Sequence, residues 1–197
     1  MIKDEDFISL KEVPGPTKEE IRCLVICKSQ VSSNDLVVDI GCGTGGITTE
    51  MAKKAKKVIA IDKNPKAIEL TQKNIEKHEV YEKVDLIKND GISALNSIGS
   101  IDIAIVGGSG SENDLDEILE LAISKLNPNG RIIITAILIN TKLKAIEKLK
   151  QKNITPEIIE VNISKGNILE RGVMMKAENP IAIIYGKISN NNTVKFK

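Results

Sequence analysis

Apolar and polar positions divide most of the chain into short apolar runs and longer segments with helical spacing. Five apolar runs predict β-strands, at residues 36–40, 58–61, 84–87, 101–106 and 131–139. The segments that follow four of these runs predict helices, at residues 48–57, 65–77, 112–126 and 141–151. Strands that alternate with helices are typical of an α/β, doubly wound, mostly parallel sheet with helices on both faces.

The beginning of the chain has a different character. Residues 1–12 are polar and mixed, and they are interpreted as an N-terminal extension. VPGPT at residues 13–17 holds two prolines and a glycine, which predict a turn. Thr17 is expected to cap the next helix, with Glu20 three positions later completing a capping box. An apolar stripe across residues 21–27 continues that helix.

The alternation of strands and helices does not continue to the end of the chain. Residues 157–163 and 180–187 are two strand-like runs with no strong helix between them. A loop between two such runs predicts an antiparallel strand pair at one edge, which brings the sheet to seven strands. Residues 190–197 are expected to form a polar tail. Without an internal repeat or a linker, the pattern predicts a single domain over residues 1–197.

Composition and charge argue against two classes of partner, nucleic acids and membranes. Lys plus Arg (28) nearly equals Asp plus Glu (27), and the chain has two Phe, two Tyr and no Trp. Neither observation favours a nucleic-acid partner. No apolar run approaches the ~18 residues that span a bilayer, and no signal peptide is recognisable at the start. We therefore expect a soluble cytoplasmic protein with no membrane partner.

The cysteines and the histidine do not predict a metal site. Cys23 and Cys27 are four positions apart and would share one face of a helix, but further ligands are missing near them. The single histidine, His78, lies far away in a charged stretch. We interpret the cysteines as small buried hydrophobic residues in a reducing cytoplasm.

The most informative local pattern is a glycine loop directly after the first predicted strand. Gly41, Gly43 and Gly46 satisfy G-x-G-x-x-G, which taken alone fits a dinucleotide as well as other cofactors. Asp39 stands two residues before the loop, where it would repel a pyrophosphate and stabilise a cationic sulfonium and ammonium. A Tyr-x-x-x-Lys pair for hydride transfer is absent from the sequence. The loop therefore predicts S-adenosylmethionine as the cofactor and methyl transfer as the reaction.

Position along the sheet then predicts a role for each candidate cofactor residue. The loop is expected to contact the amino-acid part of the cofactor through its backbone, at Gly41, Cys42, Gly43, Thr44 and Gly45. Asp62, which ends the second strand, can accept hydrogen bonds from both ribose hydroxyls. Asp90 and the amide of Gly91 fall where the adenine is expected. Two alternatives stay open: Asp62 as a helix N-cap and Asp90 as a turn residue.

Several motifs together resemble one family within the class I methyltransferases. They are VPGPTKEEIRCL, VVDIGCGTGGIT, AIDKNP, DIAIVGGSG, GRIIITAIL and RGVMMKAENPIAIIY, and they extend over nearly the whole chain. This set is similar to the archaeal cobalt-precorrin-6B C15-methyltransferases (decarboxylating). The resemblance implies methylation of C15 with loss of the C12 acetate carboxyl group, in anaerobic cobalamin biosynthesis. It also implies that Thr17, the loop from Gly41 to Gly45, Asp62 and Gly91 contact the cofactor, and that the protein is a homotetramer.

A tetrapyrrole substrate is flat, apolar on its faces and ringed by carboxylates. The segment after the fourth strand offers a floor without bulky side chains, formed by Gly107, Gly108, Ser109 and Gly110. Arg171, with Lys165 and Lys176, lies in the late segment and can pair with carboxylates. The sequence singles out no residue as a general base, and an enamine-like acceptor makes a strong protein base non-obligatory.

Two other functions remain as alternatives. The first is an RNA or other small-molecule methyltransferase of class I, although the (D/N)-P-P-(Y/F/W) motif of adenine methylation is absent after the fourth strand. The second is a cofactor-binding subunit without catalysis. An intact glycine loop, Asp62 and Asp90 argue against the second alternative.

Overall fold

A computed structural model describes residues 1–107 and 112–189, without the side chains of residues 112 and 113. Six α-helices are described: α1 Glu19–Ser29, α2 Gly46–Ala52, α3 Pro65–Lys77, α4 Gly91–Ser97, α5 Glu112–Ser124 and α6 Ile139–Gln151, with two short 3-10 helices at Asp4–Asp6 and Tyr81–Lys83. Nine strands are described: β1 Leu36–Ile40, β2 Lys57–Asp62, β3 Val84–Lys88, β4 Ile101–Val106, β5 Leu126–Ala136, β6 Glu157–Val161, β7 Ser164–Leu169, β8 Gly172–Ala177 and β9 Ile181–Lys187.

Seven strands form one sheet in the order β3-β2-β1-β4-β5-β9-β6. The first five are parallel, and β9 pairs antiparallel with both β5 and β6. This arrangement confirms the predicted mostly parallel seven-stranded sheet with an antiparallel pair at one edge. The chain runs outward from β1 to β3 and then returns to the other side of β1 at β4. The resulting reversal of strand order places a ligand crevice at the carboxyl ends of β1 and β4.

The sheet is buried on both faces, as parallel sheets usually are. Successive residues of β4 alternate between the faces: Ile103 and Ile105 pack with α1, α2 and α3, whereas Ala104 and Val106 pack with α4, α5 and α6. This alternation follows from the two-residue period of a strand. The two apolar clusters hold the strand ends, and thus the crevice, in a fixed position.

The helix after the glycine loop differs from its prediction. It begins at Gly46 and ends at Ala52, rather than spanning 48–57, and Lys57 is already the first residue of β2. Gly45 supplies the left-handed conformation that starts the helix, with φ of 79°. The loop therefore leads into the helix without an intervening segment.

Two further elements, β5 and α4, also differ from the predictions. The predicted strand 131–139 is shifted, because β5 runs from Leu126 to Ala136 and α6 begins at Ile139. The apolar residues 137–139 are exposed rather than buried in the sheet, and Ile139 already belongs to α6. Helix α4 was not predicted at all, since its seven residues are too few for a clear period.

Helix α1 differs from its prediction in its N-cap and in its buried face. Its N-cap is Lys18, without a side-chain hydrogen bond, so the predicted Thr17 capping box is wrong. The carbonyl oxygen of Thr17 instead accepts a hydrogen bond from the side chain of Arg22. Cys23 and Cys27 are exposed, contrary to the interpretation as buried hydrophobic residues. The buried face includes Arg22, whose side chain contacts the N-terminal segment, and Ile26, which packs in the apolar cluster against the sheet.

Residues 1–12, interpreted above as an N-terminal extension, are mostly exposed but are anchored to the domain by two buried side chains. The side chain of Phe7 is buried, as is that of Ile2, whose amide donates to Glu50 Oε1 at 2.5 Å. The amide and carbonyl of Ile8 both bond to the side chain of Asn74 on α3, at 2.8 and 3.0 Å. The segment is therefore tied to α2 and α3 beside the glycine loop.

The segment between β6 and β9 is a two-stranded antiparallel ribbon rather than the predicted loop. Strands β7 and β8 pair from Ser164 with Ala177 to Leu169 with Gly172. The ribbon is separate from the main sheet and is mostly exposed. None of the helices within residues 1–107 and 112–189 is both long and apolar enough to cross a membrane.

Candidate active site

The glycine loop connects β1 to α2 at the carboxyl edge of the sheet. Gly41, Gly43 and Gly45 all have left-handed backbone angles, with φ of 77°, 58° and 79°. At Gly45 a Cβ atom would also lie 2.7 Å from the Thr71 methyl carbon, so both conformation and space require glycine. The amides of Gly41 and Cys42 donate to the carbonyl of Ile61 at 2.9 and 3.0 Å, which fixes the loop to the end of β2.

Two polar residues of α3 hold the loop from the other side. Thr71 Oγ1 donates to the carbonyl of Gly43 at 2.9 Å, and Asn74 Nδ2 donates to the carbonyl of Thr44 at 2.9 Å. Neither residue was predicted from the sequence. The available signal was a pair of polar residues three positions apart on the inner face of an amphipathic helix. They satisfy buried loop carbonyls that would otherwise lack partners.

Cys42 is buried within the loop, and its Sγ lies 3.6 Å from Thr71 Oγ1. Burial is the main cause that raises the pKa of the Cys42 thiol well above its usual range, and the charge of Asp39 adds to it. The thiol therefore stays neutral and packs as a small apolar group, rather than acting as a nucleophile.

Asp62 is oriented by two backbone amides. Its Oδ2 accepts from Gly43 N–H at 2.9 Å, and its Oδ1 accepts from Asn64 N–H at 2.9 Å. The N-cap of α3 is Asn64, which accepts from Lys66 N–H at 3.0 Å, so the N-cap alternative for Asp62 is excluded. Because each carboxylate oxygen has a further lone pair, Asp62 can still accept two hydrogen bonds from a vicinal diol.

Asp39 is buried at the end of β1, and Thr48 Oγ1 donates to its Oδ2 at 2.5 Å. Burial raises the pKa of the Asp39 carboxyl to about 6, and the nearby charge of Asp62 acts in the same direction. The Thr48 hydroxyl opposes this rise by stabilising the ionised form. A cation placed beside Asp39 would stabilise the carboxylate further, so the site favours a positively charged ligand.

Two adjoining cavities meet at the glycine loop. The larger has a volume of about 610 Å³ and the smaller about 240 Å³. Both are lined by Gly41, Asp62 and Gly107. The amide of Gly107 donates to the carbonyl of Ile40 at 3.0 Å, which places this glycine at the floor where the cavities meet. Gly108, Ser109 and Gly110 lie outside the described residues.

The smaller cavity contains the residues expected near an adenine. Asp90 and Gly91 line it together with the apolar side chains of Ile40, Ile92 and Ile118. The Asp90 carboxylate accepts from Ser93 N–H at 2.9 Å and is the N-cap of α4, and this hydrogen bond lowers the pKa of Asp90. Asp90 therefore shapes the edge of the cavity by starting α4 there.

The larger cavity has two walls beyond the loop. One is the segment from Val13 to Lys18, which includes Thr17. The opposite wall consists of residues 135–138 with Thr141, and Glu178 and Asn179 complete the opening. A cavity of this kind has room for a second ligand beside whatever occupies the loop.

The cations proposed for substrate carboxylates are not gathered at this cavity. Arg171 lies in the turn between β7 and β8, is exposed, and lines neither cavity. Lys165 pairs with Glu20 at 2.9 Å, and Lys176 lies exposed on β8. Among the described residues, the basic side chain that lines the larger cavity is Lys18, which sequence reasoning missed. Over residues 1–107 and 112–189, no group of three potential metal ligands is present.

The strand order, the glycine loop after β1 and the acidic residues ending β1 and β2 define a class I methyltransferase. A family model described as a precorrin methyltransferase domain matches residues 15–186. The chain belongs to this family of precorrin methyltransferases.

Individual relatives agree with the family assignment. A relative from Methanobrevibacter smithii is 59% identical over 184 residues, which cover 93% of this chain and 97% of the relative. One from Methanothermobacter thermautotrophicus is 48% identical and covers 98% of this chain and 99% of its own. Both are named "probable cobalt-precorrin-6B C(15)-methyltransferase (decarboxylating)". A crystal structure of precorrin-8W decarboxylase from Methanobacterium thermoautotrophicum superposes with a TM-score of 0.91 at 48% identity, covering 94% of this chain and 99% of that one.

Proposed function

We propose that this protein uses S-adenosylmethionine to methylate C15 of cobalt-precorrin-6B and removes the carboxyl group of the C12 acetate, giving cobalt-precorrin-7. The observation that carries the proposal is the pair of adjoining cavities that share Gly41, Asp62 and Gly107. One cavity has the shape and chemistry of a nucleoside site, and the other leaves room for an acceptor beside it. The names of the relatives supply the identity of the acceptor.

The residues around the loop fit S-adenosylmethionine in shape and in charge. Ile40, Ile92 and Ile118 give the smaller cavity apolar sides for adenine, and Asp62 offers acceptors for the ribose diol. Left-handed glycines let the backbone approach the amino-acid part without side chains in the way. Asp39, inside the larger cavity, places a negative charge near the sulfonium and ammonium groups. When bound, the cofactor supplies an electrophilic methyl group on a cationic sulfur.

The outer wall of the larger cavity suits a flat apolar macrocycle. Ile137 and Leu138 line it and are 53% and 66% exposed, although both are large hydrophobic residues. Such exposure at a cavity mouth is typical of a binding surface rather than of a folded core. Lys18 on the facing wall is the cation available for a peripheral carboxylate.

The chain's contribution to the reaction is alignment and charge placement. Asp39 and Asp62 hold the methyl donor, while the wall at Ile137 and Leu138 fixes the plane of the acceptor. Alignment of this kind contributes up to roughly 7–11 kcal/mol to lowering a barrier. The acceptor carbon receives electron density from its own ring nitrogen, so a protein base is not required. After methylation, the C–CO₂ bond of the acetate breaks and its electron pair enters the macrocycle, which acts as the sink.

We further propose that the protein is a homotetramer, with the β7–β8 ribbon in its interface. Ile168, Val173 and Met175 of this ribbon are 84%, 65% and 62% exposed. A two-stranded ribbon with exposed apolar side chains is only marginally stable alone and favours association. Light scattering after size-exclusion chromatography tests the stoichiometry. Ile168→Asp is expected to yield smaller species, and a wild-type monomer would contradict the proposal.

Incubation with methyl-labelled S-adenosylmethionine and cobalt-precorrin-6B tests the function directly. We expect label in the tetrapyrrole and one CO₂ released for each methyl group transferred. Release of CO₂ without methylation would contradict the proposed order of steps. Methylation of transfer RNA in a parallel reaction would favour the RNA methyltransferase alternative instead.

A further inference from the structure

Arg22 is a buried charge whose placement the reaction above does not explain. Its side chain is 0% exposed, and it is the largest of the fully buried side chains in the described part of the chain. Moving a charged group into a protein interior costs several kcal/mol unless partners compensate for the lost water. The partners of Arg22 therefore indicate what this residue holds together.

All the described partners of the Arg22 guanidinium belong to residues 1–18, which we call the N-terminal strap. Nη1 donates to Asp4 Oδ1 at 2.7 Å and to the carbonyl oxygen of Thr17. Nη2 donates to the carbonyl oxygen of Ile2. The ring of Phe7 lies 4.7 Å from the guanidinium carbon, within the range of a cation–π contact. One side chain thus ties both ends of the strap to α1.

Asp4 connects this arrangement to other elements. Lys18, on the cavity wall, lies 3.9 Å from Asp4 Oδ2. Lys165, on strand β7, lies 3.8 Å from the same oxygen. Both lysines are partly exposed, so these two pairs contribute little, and the close Arg22–Asp4 pair dominates.

The end of the strap is one wall of the larger cavity. Residues Val13 to Lys18 line it, and Val13 packs in a small buried cluster with Ala67 and Leu70 of α3. At Gly46, the first residue of α2, an added Cβ would lie 3.3 Å from Pro16 Cβ and 3.4 Å from Arg22 Cδ. Arg22 therefore packs directly between this wall and the helix that follows the glycine loop.

We propose that Arg22 is a positioning residue for the cofactor. By binding Asp4 and the Thr17 carbonyl together, it fixes the wall at residues 13–18 against the glycine loop. This inference rests on the proposed use of S-adenosylmethionine. Weakening the Arg22–Asp4 pair lets the wall move and lowers the affinity for the cofactor, while the sheet and the loop itself remain intact.

The test compares Asp4→Asn and Arg22→Lys with the matched control Glu5→Gln. Glu5 lies in the same helical turn, Asp4–Asp6, and pairs only with exposed Lys3 at 3.8 Å among the ion pairs of the described chain. Calorimetry with S-adenosylhomocysteine is expected to show affinity reduced roughly fivefold or more in the first two variants. This loss corresponds to part of the free energy that a hydrogen bond to a charged group contributes. Glu5→Gln is expected to bind like the wild type.

A kinetic measurement separates positioning from general support of the fold. The KM for S-adenosylmethionine is expected to rise in Asp4→Asn, with kcat at saturating cofactor within about twofold of the wild type. The double variant Asp4→Asn/Arg22→Lys is expected to lose no more affinity than Arg22→Lys alone, because both changes remove the same contact.

Two results would overturn the proposal. One is affinity within twofold of the wild type in both variants while their melting temperatures fall, which would make Arg22 a residue of the fold only. The other is an additive loss in the double variant. If Arg22→Lys does not fold, Asp4→Asn alone still tests the proposal, because Asp4 is only partly buried and its substitution is expected to preserve the fold. Failure of the wild type to bind S-adenosylhomocysteine would contradict the proposed cofactor rather than the role of Arg22.

Discussion

The hydroxyl of Thr48 donates a 2.5 Å hydrogen bond to the buried carboxylate of Asp39, so a residue of α2 controls a charge at the end of β1. Thr48 stabilises the ionised form, whereas burial and the charge of Asp62 destabilise it and raise the pKa of Asp39 to about 6. The balance leaves Asp39 able to change its ionisation with pH and with a cationic ligand.

In the unliganded protein, Asp39 is expected to lower stability at neutral pH. Its pKa rises from 3.8 when unfolded to about 6 when folded, so the folded state binds more protons between these values. Stability therefore falls as pH rises through this range, by roughly 3 kcal/mol in total at 1.36 kcal/mol per pKa unit. Asp39→Asn is expected to unfold at a higher denaturant concentration than the wild type at pH 7.5 and to lose this advantage near pH 4. Equal stability at both pH values would contradict the argument.

The same substitution is expected to weaken cofactor binding, with a dependence on ligand charge. S-adenosylmethionine carries a sulfonium that S-adenosylhomocysteine lacks, so Asp39→Asn should reduce affinity more for the first ligand than for the second. In the wild type, affinity for S-adenosylmethionine should fall as pH drops below about 6, because Asp39 becomes protonated. Calorimetry at several pH values measures both effects. Equal losses for the two ligands would show that Asp39 does not act through charge.

Asp62 is expected to contribute directly to binding. Asp62→Ala removes acceptors for the ribose diol and also the carboxylate that holds the amides of Gly43 and Asn64. Affinity for S-adenosylhomocysteine should fall by roughly a hundredfold, the loss of about two hydrogen bonds to a charged group. Asp85→Ala is the matched control, because Asp85 is an exposed acid on the next strand that pairs only with Lys57 in the described structure. Unchanged affinity in Asp62→Ala would contradict the assigned role.

Gly45 is expected to tolerate no side chain, for two separable reasons. Its φ of 79° costs an alanine about 1–2 kcal/mol, and an added Cβ would contact the Thr71 methyl group. Gly45→Ala should therefore lower the melting temperature by a few degrees and weaken cofactor binding. The double variant Gly45→Ala/Thr71→Ser removes the methyl contact but leaves Oγ1 and Cα of residue 71 at 3.0 and 3.1 Å from the added Cβ, so it should recover only part of both losses. Gly99→Ala, with open space and outside both cavities, should change neither.

The sequence predicted correctly those elements whose ends carry a recognisable local signal, such as a capping residue or a proline. Helix α3 has its predicted bounds because Asn64 caps it and Pro65 suits its first turn. Strand β4 was equally clear from its continuous apolar run. Likewise, Asp62 could be placed because it ends a strand directly beside the loop.

The features that were missed depend on contacts between distant parts of the chain. Arg22 was not singled out from the sequence, since its partners Asp4 and Phe7 lie in a segment with no regular spacing. Thr71 and Asn74 support the loop from about thirty positions away, and hydrophobic periodicity carries no information on such partners. Ile137 and Leu138 continued an apolar run and were assigned to a strand, although they line a cavity.

Leu138 provides a test of the substrate wall that is separate from folding. It is the N-cap residue of α6 and makes no side-chain cap, so Leu138→Asp should keep or raise stability by about 1 kcal/mol through capping. The same change replaces apolar surface by a charge that repels substrate carboxylates. The KM for cobalt-precorrin-6B should therefore rise at least roughly tenfold, the effect of about 1.4 kcal/mol, with cofactor affinity unchanged. Leu138→Asn separates lost apolar contact from repulsion, and Leu143→Asp is the control, because Leu143 is similarly exposed but lies outside the cavity. A KM equal to that of the wild type in Leu138→Asp would show that this wall does not contact the substrate.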